Sequence, residues 1–319
     1  MAHLLENMAY VGDVPWHGLG NQLSANQPIE VWAQQAGMNW HICESPVSFD
    51  AGDAVGAGVI TTFPENKVLF RSDTKEPLSV VSQRYKVVQP GEILEFYRDL
   101  TEVSGFELET AGVLKGGRKI WALARTGQSS TLKGNDVSNA YVLLATACDG
   151  SLATTAQFTS IRVVCNNTLA VALGASNGAV KVRHSTSFDA QSVKRQLGIS
   201  VSTWSSFMYN MKGLSERKVK THEAMNYLSL VFSNNKKTGA VIASDRSMAK
   251  VMALFDGHGR GAELASSKGT AFGLLNAMTE FVDHERRARS TDHRLESAWF
   301  GQGATLKERA LEQAMVMIA

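Results

Sequence analysis

Three stretches carry residue types that could do chemistry. The first is RVVCNNTLAVAL, residues 162–173, where an Arg, a Cys and two adjacent Asn abut an apolar run. Cys165 with His184 has the types of a thiol nucleophile and its base. No spacing joins them, however, and a Cys among Val163, Val164 and Leu169 packs as a small hydrophobe. Asn166 and Asn167 suit a strand-to-helix corner, with one of them capping a TLAVAL helix. A helix N-terminus attracts anions, and Arg162 just before it could clamp a phosphate.

The second stretch is Gly257-His258-Gly259-Arg260-Gly261 with Ser266-Ser267-Lys268-Gly269-Thr270. It resembles a phosphate cradle but matches no nucleotide fingerprint: Gly follows Lys268, and no strand precedes the glycines. It reads as a surface loop whose amides could meet phosphate. The third stretch holds Asp283-His284-Glu285 and Asp292-His293. HExxH is absent. Four Arg within 286–294 oppose a bound cation, so an exposed, ion-paired helix end is expected.

Cations also flank aromatic residues. Arg84 and Lys86 bracket Tyr85; Lys115, Arg118 and Lys119 surround a Gly-Gly turn; Lys181 and Arg183 lie on a short apolar segment. A positive groove with stacking rings is how single-stranded nucleic acid is held. Tyr85 is the expected stacking ring. Trp121, between Ile120 and Leu123, is expected in the core.

The 319-residue chain has a net charge of +2, 44% hydrophobic and 19% charged residues, a globular composition. The charge is uneven. Residues 1–76 hold three Lys/Arg against nine Asp/Glu, whereas residues 181–220 hold eight Lys/Arg against Asp189 and Glu216. Such a basic segment fits a polyanion partner. Cys43, Cys148 and Cys165 show no CxxC spacing, which opposes a disulfide framework and a thiolate zinc site. No apolar run spans a membrane, and the N-terminus lacks a basic region followed by an apolar core. A cytoplasmic protein with reduced thiols is expected.

The elements that would position these residues are read from periodicity. Residues 1–50 look irregular apart from a helix at IEVWAQQAGM, entered through Asn26–Pro28. Short strands and turns follow over 52–89. PGEILEFYRDLTEV puts Ile93, Leu94, Phe96, Tyr97 and Leu100 on one helical face. Strands FELETAGVL and RKIWALART, joined at Lys115-Gly116-Gly117, lead to NAYVLLATA and, past Asp149-Gly150, to SLATTAQFT. VKVRHS is a short strand. Beyond it, Asp189 caps a long helix running through Trp204 to Leu214, and helices are expected at 219–233, 245–255, 270–287 and 304–318. The class is α+β: an antiparallel β-meander with flanking helices, then a mainly helical C-terminal half. Three regions follow: acidic 1–76 packed on the core, β-rich 77–187 and helical 188–319.

SQRYKVVQPGEILEFYRDL, AGVLKGGRKIWALAR, the DGS turn, RVVCNNTLAVAL and GTAFGLLNAMTEFVDHERR together resemble the phage/plasmid-like protein family, also known as domain of unknown function 932. The resemblance covers nearly the whole chain. It implies a protein of phages, prophages and plasmids, hence the cytoplasm of a bacterial host, and it implies no particular activity. In outline the meander with basic hairpins is also similar to phage single-strand annealing proteins and their Rad-type relatives. Those form rings or filaments that hold the DNA backbone. This is analogy of fold, and no contact residue is carried over from it.

The expected function is single-stranded DNA binding and annealing or recombination by a homo-oligomeric ring or filament, without cofactor, metal or catalytic residues. Arg162, Lys181 and Arg183 would contact phosphates. Arg84, Tyr85, Lys86, Lys115, Arg118 and Lys119 would extend the groove, and Asn166 and Asn167 would offer backbone N–H groups. The alternatives are a non-enzymatic anti-defence or regulatory factor that binds a host protein, and a metal-dependent phosphodiester hydrolase using Asp283, His284, Asp292 or His293.

Overall fold

The computed structural model describes residues 5–12, 14–15, 18–52, 58–162, 164, 167–170, 179–197, 201–233 and 245–319. The chain is α+β, with antiparallel sheets in the N-terminal half and helices dominating the C-terminal half. It forms two compact units, each discontinuous in sequence: residues 1–125, 142–157 and 179–197, and residues 126–141, 158–178 and 198–319. They cut across the three sequence regions because the long strands β7 (Lys119–Leu132), β8 (Asp136–Ala147) and β9 (Thr154–Arg162) each give one end to either unit.

In the first unit those strand ends continue into β6 (Glu107–Leu114), β1 (Leu5–Val11) and β2 (Asn21–Leu23), with β11 (Ala179–Val182) on the outer edge of β9. The helix α2 (Pro90–Ser104) lies where its period predicts, and Ile93, Leu94, Phe96 and Tyr97 are fully buried. Tyr97 sits 2.9 and 3.0 Å from the carbonyls of Ala122 and Val142, and its hydroxyl donates to one at a time. That bond satisfies the one polar atom of an otherwise apolar face. A second, three-stranded sheet has the order β3 (Ile42–Asp50), β4 (Ile60–Arg71), β5 (Pro77–Ser82). Gln89 ties it to the start of α2: its amide accepts from Ile42 N–H (2.8 Å) and donates to Ile42 O (3.1 Å).

The described residues within 1–50 are therefore more ordered than their sequence suggests. The helix α1 (Ile29–Gln35) forms as expected, but β1, β2 and β3 were not legible. Pro46 inside β3 breaks the usual strand pattern, and it is tolerated because β3 is an edge strand.

The second unit holds β10 (Asn167–Ala170), the distal ends of β7–β9, and helices α4 (Val201–Glu216), α5 (Thr221–Phe232), α6 (Asp245–Ala253), α7 (Ala271–Glu280), α8 (Thr291–Phe300) and α9 (Gln302–Val316). The helix α7 is apolar on nearly every side and is buried along its length, as such a helix must be. Tyr227 of α5 donates to Ala310 O of α9 (2.9 Å), and Trp204 of α4 donates to Ser130 Oγ (2.8 Å). The expected long helix after Asp189 is two helices, α3 (Ala190–Leu197) and α4, with Gly198 between them in sequence. Asp189 does cap the first, accepting from Gln191 and Ser192 N–H. The sequence reading missed α8, whose cap is Ser290.

One expectation is overturned at the Asn corner. Thr168–Ala170 belong to strand β10, not to a helix, and β10 pairs antiparallel with β9, placing Asn167 opposite Arg162. Asn167 is thus no helix N-cap, and among the described residues of this corner no helix N-terminus offers an anion site. A short apolar run fits either state, and pairing with the open edge of β9 decides it. Asn166 and Cys165 lie outside the described residues.

Candidate nucleic-acid interface

Tyr85 joins two basic segments of the first unit, residues 84–86 and 183–184. This residue follows β5 in the turn before α2, and its hydroxyl donates to Ala147 O (2.7 Å). Its ring stacks on His184, with centroids 4.4 Å apart and planes 15° from parallel. The imidazole is pinned in turn: Nδ1 lies 3.0 Å from Lys86 O and Nε2 3.1 Å from Leu152 O. Lys86 N–H donates back to His184 O. Residues 84–86 and 183–184, far apart in sequence, are therefore clipped together by backbone bonds and one stacked ring pair.

The Gly-Gly turn joins the same neighbourhood. Lys115, Gly116 and Gly117 have φ of 56°, 66° and 99°, so three left-handed residues in succession make the reversal. Only Gly fits at 117, because a Cβ there would meet the Trp40 ring at 2.8 Å. Cys148 N–H donates to Arg118 O (2.9 Å) from the same peptide unit whose carbonyl holds Tyr85.

Arg84, Lys86, Arg118, Lys181 and Arg183 are all exposed around this junction, and Lys115 is half-buried. Asp149 is the nearby anion; it accepts from Ser151 N–H and its charge reaches Tyr85 and Cys148. Burial first, and Asp149 second for the thiol, push the Cys148 Sγ up to about 12 and the Tyr85 hydroxyl higher still. Lys119 is corrected: at 3% exposure its side chain belongs to the interior and offers nothing to a surface groove. Trp121 is fully buried, as expected. Tyr85 has one ring face on His184 and its hydroxyl on Ala147, so it serves first as the clip that gathers the cations. His184, weighed in the sequence only as a base for Cys165, is the member that reasoning missed. No local signal could reveal it, since its partner lies 98 residues away.

A thiol held near 12 is neutral at ordinary pH. With Cys43 and Cys165 changed to Ser, Cys148 should resist an aromatic disulfide reagent at pH 8 until the protein unfolds. The folded pKa lies above that of a free thiol, so this group's contribution to stability is complete below about 8.5 and falls as pH rises toward 12. Rapid labelling of the native protein would contradict this placement of Cys148.

In the second unit, Arg162 and Asn167 sit opposite each other at the turn-ward end of the β9–β10 pair, and β10 lies beside α7 and α9. The Gly257–Gly261 loop already wraps an anion of its own: Arg260 N–H points at both carboxylate oxygens of Glu280, 3.1 and 3.0 Å away. The N-terminus of α7 is capped by Thr270, which accepts from Gly273 N–H. Ser266, Ser267 and Thr270 are buried, so the loop is superficial only in its first part. Ser266 donates to the buried Asp136 carboxylate. Asp283 is no exposed ligand either; it is fully buried and paired with Lys307 at 2.8 Å. His293 Nδ1 lies 2.6 Å from Ser290 Oγ. Among the described residues, no three His, Cys, Asp or Glu side chains are grouped to hold a metal.

The family model described as domain of unknown function (DUF932) matches residues 77–299. The chain belongs to this family. No curated protein and no solved structure matches it. The DUF932 match contains every basic residue gathered at the Tyr85–His184 clip. It begins at Pro77, the start of β5, and so leaves β3 and β4 of the three-stranded sheet outside. No helix among the described residues is long and apolar enough to cross a membrane.

Proposed function

We propose that this DUF932 protein binds single-stranded DNA and promotes annealing or recombination as an oligomer, in the service of a phage or plasmid in the host cytoplasm. The observation that carries this reading is that the segments bearing Arg84 and Lys86 and bearing Lys181 and Arg183 are clipped together, that Arg118 is tied in through Cys148, and that all five side chains are exposed. Guanidinium and ammonium groups at that density suit a phosphate backbone. The paired Arg162 and Asn167 of the second unit are a separate candidate contact. Binding here needs no nucleotide and no metal.

Fluorescence anisotropy with labelled oligo-dT tests it. Affinity should fall steeply with salt, and Lys181→Ala/Arg183→Ala should weaken binding at least about tenfold while lowering the salt slope by about 1.4, two single-strand phosphate contacts. Both side chains are exposed, so the thermal midpoint should hold. Arg162→Ala measured alongside reports on the second unit. An unchanged salt slope in the double variant would remove the first-unit surface from the DNA path. Absence of DNA affinity altogether would favour a factor that binds a host protein.

A further inference from the structure

The ring expected to stack on a base, Tyr85, has one face on His184. A different ring stands open to solvent. Tyr209 of α4 is 77% exposed, the highest value of any large apolar side chain among the described residues. Among those residues neither its ring nor its hydroxyl has a partner. Helical period sets its direction. Trp204, Phe207, Met208, Met211 and Leu214 are buried, whereas Ser205, Tyr209, Lys212 and Glu216 recur at three and four residues along one exposed stripe. The helix beneath is held firm: Trp204 donates to Ser130 Oγ at 2.8 Å and lies against the Phe207 ring, centroids 5.7 Å apart.

Cations follow Tyr209 along the chain. Lys212 is one turn on, with its Cβ about 5–6 Å from that of Tyr209. At the end of α4, Lys133 from the tip of the β7–β8 hairpin donates through Nζ to Ser215 O (2.7 Å), and Ser215 Oγ donates to Lys212 O (2.7 Å). The segment after α4 is bound in turn to the loop before α7: Val219 N–H donates to Gly269 O, Ala271 N–H to Arg217 O, and Lys218 Nζ to Lys268 O. The hairpin tip and these two loops, all of the second unit, are therefore joined at the end of α4. Lys133, Lys212, Lys218, Lys220 and Lys268 are exposed. Arg217 holds Glu223, Lys268 holds Glu263, and Asp136 is buried on Ser266. That leaves Glu216 to offset the remaining lysines.

We propose, on the reading that this protein binds single-stranded DNA, that Tyr209 is a base-stacking platform and that Lys212 and the lysines at the end of α4 hold the phosphates beside it. An open ring set next to a basic strip is the combination that single strands require. Every base has a π-face, so the platform tolerates any sequence, and it needs an unpaired base, which a duplex keeps between its neighbours. A ring on a fixed helix has two side-chain torsions to order, so little is lost when a base settles on it. The other exposed rings, Phe49 and Phe63, lack this setting: they sit on β3 and β4, whose cations Lys67 and Arg71 are buried.

Anisotropy with labelled oligo-dT and with an abasic deoxyribose-phosphate strand of equal length separates ring from charge. Tyr209→Ala should weaken oligo-dT binding at least about fivefold, the lower end for one stacked base, with salt slope and thermal midpoint unchanged. Tyr209→Phe should keep the full affinity, and the abasic strand should bind wild type and Tyr209→Ala alike. Lys212→Ala should lower the salt slope on both strands by about 0.7, one single-strand phosphate contact. A Tyr209→Ala protein that binds oligo-dT as tightly as wild type, or one that loses the abasic strand equally, would overturn the platform and leave DNA binding to Lys181 and Arg183. An unchanged slope in Lys212→Ala would overturn the phosphate contact. A wild type without affinity for oligo-dT would overturn both the platform and the DNA reading.

Discussion

Lys307→Met is expected to destabilise the second unit by about 3–5 kcal/mol, the cost of leaving a buried carboxylate without its cation. Lys307 on α9 is 6% exposed, and its ammonium lies 2.8 Å from the fully buried Asp283 just past the end of α7. Removing the cation strands Asp283 among Phe281, Val282 and their neighbours, where ionised carboxylate is poorly solvated. In a unit of this size the midpoint should drop on the order of 10 °C. The double variant Asp283→Leu/Lys307→Met should regain most of the loss, because a packed apolar pair replaces an ion pair at little net cost. Calorimetry on the single and double variants gives the coupling. A Lys307→Met protein within about 1 kcal/mol of wild type would mean that the pair does not hold α7 to α9.

Gly273→Ala should be just as damaging, against the intrinsic trend. Ala stabilises a helix interior by about 1 kcal/mol relative to Gly. At this position on α7, however, an added Cβ would fall 2.0 Å from Ser267 O and 2.8 Å from Ser267 C. The backbone of the Ser266–Thr270 segment crosses the first turn of α7 there, fixed by Thr270 Oγ1 accepting from Gly273 N–H and donating to Ser266 O or Ser267 O. Neither side can move far: Ser266 donates to Asp136, and α7 is buried along its length. A loss of about 3 kcal/mol or more is expected, read as a lower denaturant midpoint at unchanged slope. A neutral or stabilising result would show that the crossing segment yields.

Both positions bear on how far the sequence could be read. Gly273 looks like a weak point in a helical run, and Asp283 with His284 looks like a ligand pair. Each has a different meaning because of a backbone or side chain brought from elsewhere. The Asn corner shows the same limit from the other side. Thr168–Ala170 have no local reason to choose between helix and strand, and the open edge of β9 chose for them.

Periodicity and turn chemistry alone determined the α+β class, the amphipathic α2, the hairpins at Gly116-Gly117 and Asp149-Gly150, and the Asp189 cap. These depend on residues within a few positions of one another. The motifs quoted for the family lie in its matched span, 77–299. Only tertiary structure decided which cations share a surface. It put Lys119 inside, joined the segments bearing Arg84 and Lys86 and bearing Lys181 and Arg183 through a Tyr85–His184 stack, and enclosed Glu280 in the glycine loop that had looked like a phosphate cradle. Charge and hydrophobicity are properties of single residues. Their neighbours are set by strand pairing and packing across tens of residues, which no local pattern encodes.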